Sequence, residues 1–239
     1  HAPPRQTTSL DDPLDLLRAT LGLQSRDTTC AAPFAGGAVG YFAYELGQRL
    51  IALPNPPTQC LPADPLPRMA VGLYDWAVVI DHATRTCYLQ SDRPSFTDDA
   101  SRQSLVDLFT HPQPTRPART YHSHGAVENG MPYAAYLRAH AKLKRYIRAG
   151  DCYQANLTQP FGVRVTGDPW AAYRRLRQLS PTPFADYLNL PWAHVLSASP
   201  ERFLQLRDGQ VSTRPIKGTR RRDTDAVRDA ILKQELAAS

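Results

Sequence analysis

The 239 residues are 42% apolar and carry 28 Lys and Arg against 22 Asp and Glu, a net charge of +6, which is enough apolar material for one large domain or two small ones. No stretch approaches the roughly 20 apolar residues of a membrane helix, and His1-Ala2-Pro3-Pro4-Arg5 lacks the apolar centre of a secretion signal, so a cytoplasmic protein without membrane contact is expected. Lys and Arg are scattered rather than gathered into a long stripe with interleaved aromatics, which argues against nucleic acid as a partner.

Asp11-Asp12-Pro13 opens an apolar-periodic run through Leu14, Leu16, Leu17 and Leu21, the pattern of a capped helix with proline in its first turn. Gly36-Gly37-Ala38-Val39-Gly40-Tyr41-Phe42 has neither the lysine-serine ending nor the preceding strand of a phosphate loop, and reads better as a strand packed closely against its neighbour. Residues 70–80 and 86–90 are β-branched and aromatic, and Asp81-His82-Ala83-Thr84-Arg85 joins them as a hairpin. From Asp92 to Arg119 the chain is rich in Pro, Ser, Asp, Thr and Arg, with a short helical segment at 105–109, and this stretch marks a boundary.

Beyond it, Pro132 starts a helix with apolar positions at Tyr133, Tyr136, Leu137, Leu143 and Ile147, and Gly150 supplies its C-cap. A strand is expected from Tyr153 to Val165, ending at Gly167. Asp168-Pro169 then caps a helix carrying Trp170, Tyr173, Leu176 and Leu179. Strands follow at about 185–190, 193–198, 202–206 and 211–214, and a last helix runs from near Thr224 and continues at Ser239. The sum is an α+β chain with largely antiparallel, hairpin-linked strands and helices on the outside.

Two runs carry chemistry. Arg207-Asp208-Gly209-Gln210 is a hairpin signal between Ser199-Pro200-Glu201-Arg202-Phe203 and Arg214-Pro215-Ile216-Lys217-Gly218-Thr219, so Glu201 and Lys217, 217 − 201 = 16 positions apart, are expected on neighbouring strands. Val195-Leu196-Ser197-Ala198 reads as a buried strand delivering Glu201, whose partial desolvation would suit it to donate a proton. Arg214 and Arg220 would disfavour a second cation at Lys217, which suits that amine to act as nucleophile or base. Each residue also has a plainer reading, as a surface carboxylate and as a lysine in a basic loop. Arg220-Arg221-Arg222 is either a solvated loop or a field for a small anion. The four cysteines, Cys30, Cys60, Cys87 and Cys152, have no metal-site spacing and read as buried or idle thiols.

Ala149-Gly150-Asp151-Cys152-Tyr153-Gln154-Ala155-Asn156-Leu157, Ser199-Pro200-Glu201-Arg202-Phe203 and Arg214-Pro215-Ile216-Lys217-Gly218-Thr219-Arg220 resemble the signature runs of the chorismate-utilising enzymes. Within that family the likeness is to the aminodeoxychorismate synthase component I branch, and the segments Gly37 to Leu46 and Met69 to Ala77 share it. In the related anthranilate synthase large subunit the position of Lys217 normally carries alanine.

The resemblance implies a magnesium-dependent replacement of the C4 hydroxyl of chorismate by an amino group, with ammonia from a glutamine amidotransferase partner, toward p-aminobenzoate and folate. It assigns Lys217 as the nucleophile, Glu201 as the proton donor and Gly218 and Thr219 as substrate neighbours, and it places Pro183 and Phe184, in Ser180-Pro181-Thr182-Pro183-Phe184-Ala185, beside a tryptophan effector pocket. It further implies that residues 1–118 are an incomplete N-terminal, effector-side portion and 119–239 the first half of the catalytic region. The magnesium-binding glutamates, with the groups that hold the substrate carboxylates, are then expected beyond Ser239 rather than in this chain. The alternatives are an anthranilate or isochorismate synthase and, in another class, a non-catalytic tryptophan-binding module.

Overall fold

A computed structural model describes residues 7–22, 33–47, 66–91, 99–111 and 119–238. Cys30, Cys60 and most of the expected boundary stretch (92–98 and 112–118) lie outside them. The helices are α1 (Pro13–Leu21), α2 (Asp99–Thr110), α3 (Tyr133–Ala149), α4 (Pro169–Leu179) and α5 (Ala226–Ala237). The strands are β1 (Gly37–Phe42), β2 (Met69–Tyr74), β3 (Trp76–Asp81), β4 (Thr86–Ser91), β5 (Tyr121–Asn129), β6 (Phe161–Gly167), β7 (Phe184–Asn189), β8 (His194–Ser199), β9 (Arg202–Arg207) and β10 (Gln210–Arg214). Among the described residues the strands form five two-stranded pairs, β1 with β2, β3 with β4, β5 with β6, β7 with β8 and β9 with β10. The expected mix of helices and antiparallel strands is therefore what forms.

The chain divides into two compact units, residues 1–117 with 127–162, and residues 118–126 with 163–239. In the first unit, Asp12 caps α1 by accepting from the Leu14 and Asp15 N–H groups at 2.9 and 3.1 Å, with Pro13 in the first turn. Gly40 pairs with Val71 across the β1–β2 ladder, and a Cβ at Gly40 would fall on the Ala70 carbonyl oxygen, so the glycine serves close strand packing as expected. The single strand expected at 70–80 is two strands, β2 and β3, parted at Asp75. The β3–β4 turn is shaped by Asp81, whose carboxylate accepts from the Ala83 and Thr84 N–H groups; hydrogen bonding from the Thr84 side chain first, and then from these two N–H groups, holds its pKa below the usual carboxylate value. Helix α3 closes at Gly150, which takes the left-handed φ of 84° that a C-terminal glycine permits.

The strand expected from Tyr153 starts only at Phe161, and β5 answers to no expectation from the sequence. Tyr121–Asn129 is exposed throughout, so no buried face imposed an alternation of apolar and polar residues.

In the second unit, Asp168 caps α4 through the Trp170 N–H at 3.0 Å, and the helix lays Trp170 and Tyr173 against the β7–β8 hairpin. Trp170, Tyr173 and Tyr187 form a triangle with ring centroids 5.1–5.4 Å apart, and His194 stacks on Tyr187 at 6.0 Å. Tyr173 is 5% exposed, the least of the core residues. Such pairs add about 0.5–1.5 kcal/mol each beyond area burial, so this cluster organises the unit. Across the β9–β10 turn, Asp208 and Gly209 take successive positive φ values of 51° and 72°, as a two-residue primed turn requires. Helix α5 is capped by Asp225 and runs to Ala237, and the continuation expected at Ser239 lies outside the described residues.

Candidate active site

The β9–β10 ladder pairs Gln210 with Arg207, Val211 with Leu206 and Ser212 with Gln205, then shifts by one residue before Arg214 meets Arg202. Phe203 and Leu204 form the bulge on β9 opposite the single Thr213, whose hydroxyl donates to the Phe203 carbonyl at 2.6 Å. The ladder ends there, and Glu201 and Lys217 stand just beyond it, in the segments before β9 and after β10. They are neighbours, but not on neighbouring strands as the sequence suggested. The bulge and Pro215, which has no N–H to give, stop the pairing.

A side-chain bond replaces the missing rung. The Ile216 N–H donates to Glu201 Oε1 at 2.9 Å, which fastens the carboxylate to the residue before Lys217. Among the described residues no ion pair joins Glu201 to Lys217, and none holds the Lys217 ammonium. Both side chains are exposed, which corrects the expectation that a buried strand would desolvate Glu201. β8 is half-buried rather than buried, and among the described residues it pairs with β7 only.

Glu201 lines an open cleft of about 430 Å³ with Phe184, Asp186, Ser199, Arg202, Phe203, Leu204 and Gln205. The Arg202 guanidinium sits over the Phe184 ring, 5.5 Å from its centroid, and donates to Gln205 Oε1 at 2.6 Å. Pro183 opens instead on a separate cleft of about 390 Å³ with Arg177, Pro181 and Thr182. The two residues expected at one effector pocket thus face two clefts, and Phe184 shares its cleft with Glu201. The Thr182 hydroxyl is buried without a hydrogen-bond partner beside Arg177.

Gly218 follows Lys217 with φ 69°, a conformation that suits glycine, and a Cβ there would stand 3.0 Å from Leu236 Cδ1 of α5. Thr219 gives its carbonyl to Arg220 Nη1 at 3.2 Å. The arginine cluster does not act as one patch. Arg222 is bound in two-point fashion to Asp229 on α5, through Nε to Oδ1 at 2.7 Å and Nη2 to Oδ2 at 2.8 Å. That bond, with a second from the Asp223 N–H at 3.1 Å, holds the Asp229 pKa below the usual carboxylate value and raises that of Arg222. Asp229 was not legible from the sequence; its one signal is an acidic residue in the first turn of a helix after an arginine run. Cys87 is exposed rather than buried, Cys152 is half-buried, and both are unbonded.

A mixed fold of antiparallel pairs with outer helices, bringing a carboxylate against a Pro-Ile-Lys-Gly-Thr loop, defines the class, and the family model for chorismate binding enzymes matches residues 3–239: the chain belongs to that family. More particularly, it is 39% identical over 236 residues to aminodeoxychorismate synthase component 1 of Klebsiella aerogenes, covering 98% of this chain and 50% of that protein. It is 32% identical over 253 residues to anthranilate synthase component 1 of Streptomyces coelicolor, covering 100% of this chain and 49% of that one. The fold matches the crystal structure of anthranilate synthase component I from Streptococcus pneumoniae with a TM-score of 0.72 at 22% identity, over 95% of this chain and 50% of the other. The chain spans about half the length of the curated relatives it matches. No helix among the described residues is long and apolar enough to cross a membrane.

Proposed function

We propose that this chain carries the lysine and the carboxylate with which an aminodeoxychorismate synthase replaces the C4 hydroxyl of chorismate by an amino group. The observation that carries the reading is the Ile216 N–H bond to Glu201, which sets an acid beside the one loop residue able to act as an amine nucleophile. The Lys217 amine attacks C2, the ring double bonds shift, and the C4 hydroxyl departs as water with the proton of Glu201. Ammonia then adds at C4, the double bonds shift back, and the lysine amine leaves, so that chorismate and ammonia give 4-amino-4-deoxychorismate and water. Ammonia would come from a glutamine amidotransferase partner, and the cell compartment would be the cytoplasm.

Attack uses the Lys217 amine in its free-base form, so the substrate or a base takes up its proton. Gly218 allows the positive φ of the loop beside Lys217, and Thr219 offers a hydroxyl next to it.

The magnesium that the family resemblance implies has no fit here: among the described residues no group of three or more His, Cys, Asp or Glu side chains could hold a metal ion. A magnesium requirement belongs to the proposal for the complete gene product, where addition of a chelator is expected to abolish turnover and magnesium to restore it.

A second reading, a tryptophan site, draws on the cleft at Pro183, where Arg177 and the unpartnered Thr182 hydroxyl suit a carboxylate-bearing ligand. Product chromatography from the complete gene product with chorismate and ammonia tests the main reading. The expected product is 4-amino-4-deoxychorismate; anthranilate or isochorismate as the main product would overturn the branch. Calorimetric binding of tryptophan with no response to chorismate would favour a non-catalytic module instead.

A further inference from the structure

The loop that carries Lys217 runs from Pro215 to Asp225 without helix or strand, yet it is fastened at three points. Its entry is tied by the Ile216 N–H to Glu201. Its middle rests against α5, where Gly218 leaves no more than room for itself beside Leu236. Its exit is tied to the same helix by Asp229, which takes the Arg222 guanidinium at two points and the Asp223 N–H at a third.

We infer that Asp229 is a positioning residue: by clasping Arg222 and the Asp223 backbone it fixes the exit of the loop and so the place of the Lys217 amine. This rests on the reading of Lys217 as the nucleophile. Lys217 and Arg222 are 222 − 217 = 5 positions apart, so with the entry tied at Ile216 the clasp at Arg222 closes a short span and holds the loop at both ends. The clasp differs from an ordinary surface ion pair. The Asp229 side chain is 22% exposed although its arginine partner is 88% exposed, and a forked, two-bond geometry restricts the loop in a way a single contact does not. Asp225 caps the helix separately, through the Val227 and Arg228 N–H groups at 2.9 Å, so helix integrity and loop fastening reside in different carboxylates.

That separation supplies the test, made on the complete gene product. In Asp229→Asn the amides of 216–223 are expected to exchange with deuterium about ten-fold faster while those of β7 and β8 keep their protection. With chorismate and ammonia kcat is expected to fall about ten-fold with KM changed less than about two-fold, since a small misplacement of a reacting group costs rate rather than binding. Asp229→Glu, which keeps a carboxylate for the guanidinium, should recover part of that rate. Asp225→Ala, which removes the helix cap and leaves the clasp, should destabilise the protein without the loss in kcat. Unaltered exchange at 216–223 in Asp229→Asn would overturn the clasp, and an equal fall in kcat in Asp225→Ala would reduce Asp229 to a structural residue. A wild-type protein that makes no 4-amino-4-deoxychorismate would overturn the lysine reading instead, and the exchange comparison would still decide the clasp.

Discussion

Two hairpins of the same unit are held in opposite ways. The β7–β8 pair lies under α4 and is fixed by rings: Trp170, Tyr173, Tyr187 and His194 touch in sequence, and Tyr173 is 5% exposed. The β9–β10 pair has apolar side chains in the open, with Phe203 88% and Val211 66% exposed, and the segments at its end are fixed by polar ties from Glu201 and Asp229. The contrast separates stability from chemistry. The apolar burial behind ring packing is non-directional, whereas a hydrogen bond to a single N–H specifies where one side chain stands. A reacting group needs the second kind of support.

Substitutions at the polar end break the comparison most sharply. Lys217→Ala is expected to lose at least about 100-fold in turnover and Glu201→Gln about as much, with urea midpoints within experimental error of wild type, because exposed side chains off the ladder add little to stability. A midpoint that falls with the activity would erase the distinction. At the ring-packed end, Tyr173→Ala should cost about 3 kcal/mol by urea unfolding, through the cavity and three lost ring contacts. Gly218→Ala is smaller, about 1–2 kcal/mol for a side chain forced to positive φ against Leu236, and should perturb turnover more than KM. Gly150→Ala, at a helix end with open space around it and a positive φ of 84°, is the control that keeps the strain without the loop.

The smallest effect concerns pH. Asp229 has a lowered pKa in the folded protein, so its contribution is complete above the ordinary carboxylate value of about 4 and is lost only as pH falls through the lower folded value. The difference in urea midpoint between wild type and Asp229→Asn should therefore be constant from pH 7 to about 4.5 and shrink below about 4. A difference that shrinks between pH 7 and 5 would contradict the assignment.

The same contrast governs what the sequence revealed. The helices with buried or capped ends, α1, α3 and α4, are written in Asp12-Pro13, Gly150 and Asp168-Pro169, because caps and glycines act within a few residues. The Asp208-Gly209 turn was legible for the same reason. Strand β5 was not, since an exposed ribbon needs no alternation, and the start of β6 was set by its pairing rather than by propensity. The adjacency of Glu201 and Lys217 followed from the hairpin between them. Their exposure did not, because burial depends on what covers a strand rather than on its apolar composition. The Arg222–Asp229 clasp joins residues seven positions apart across a loop of no regular structure, a relation that no period or motif encodes.

The central claim is that Lys217 forms a bond with the substrate. Intact-mass spectrometry of the complete gene product, incubated with chorismate in the absence of ammonia and quenched under trapping conditions, measures it directly. The expected result is a mass increase equal to chorismate less one water, mapped by peptide analysis to Lys217 and absent in Lys217→Ala. No adduct on Lys217, together with full amination activity in Lys217→Ala, would contradict it.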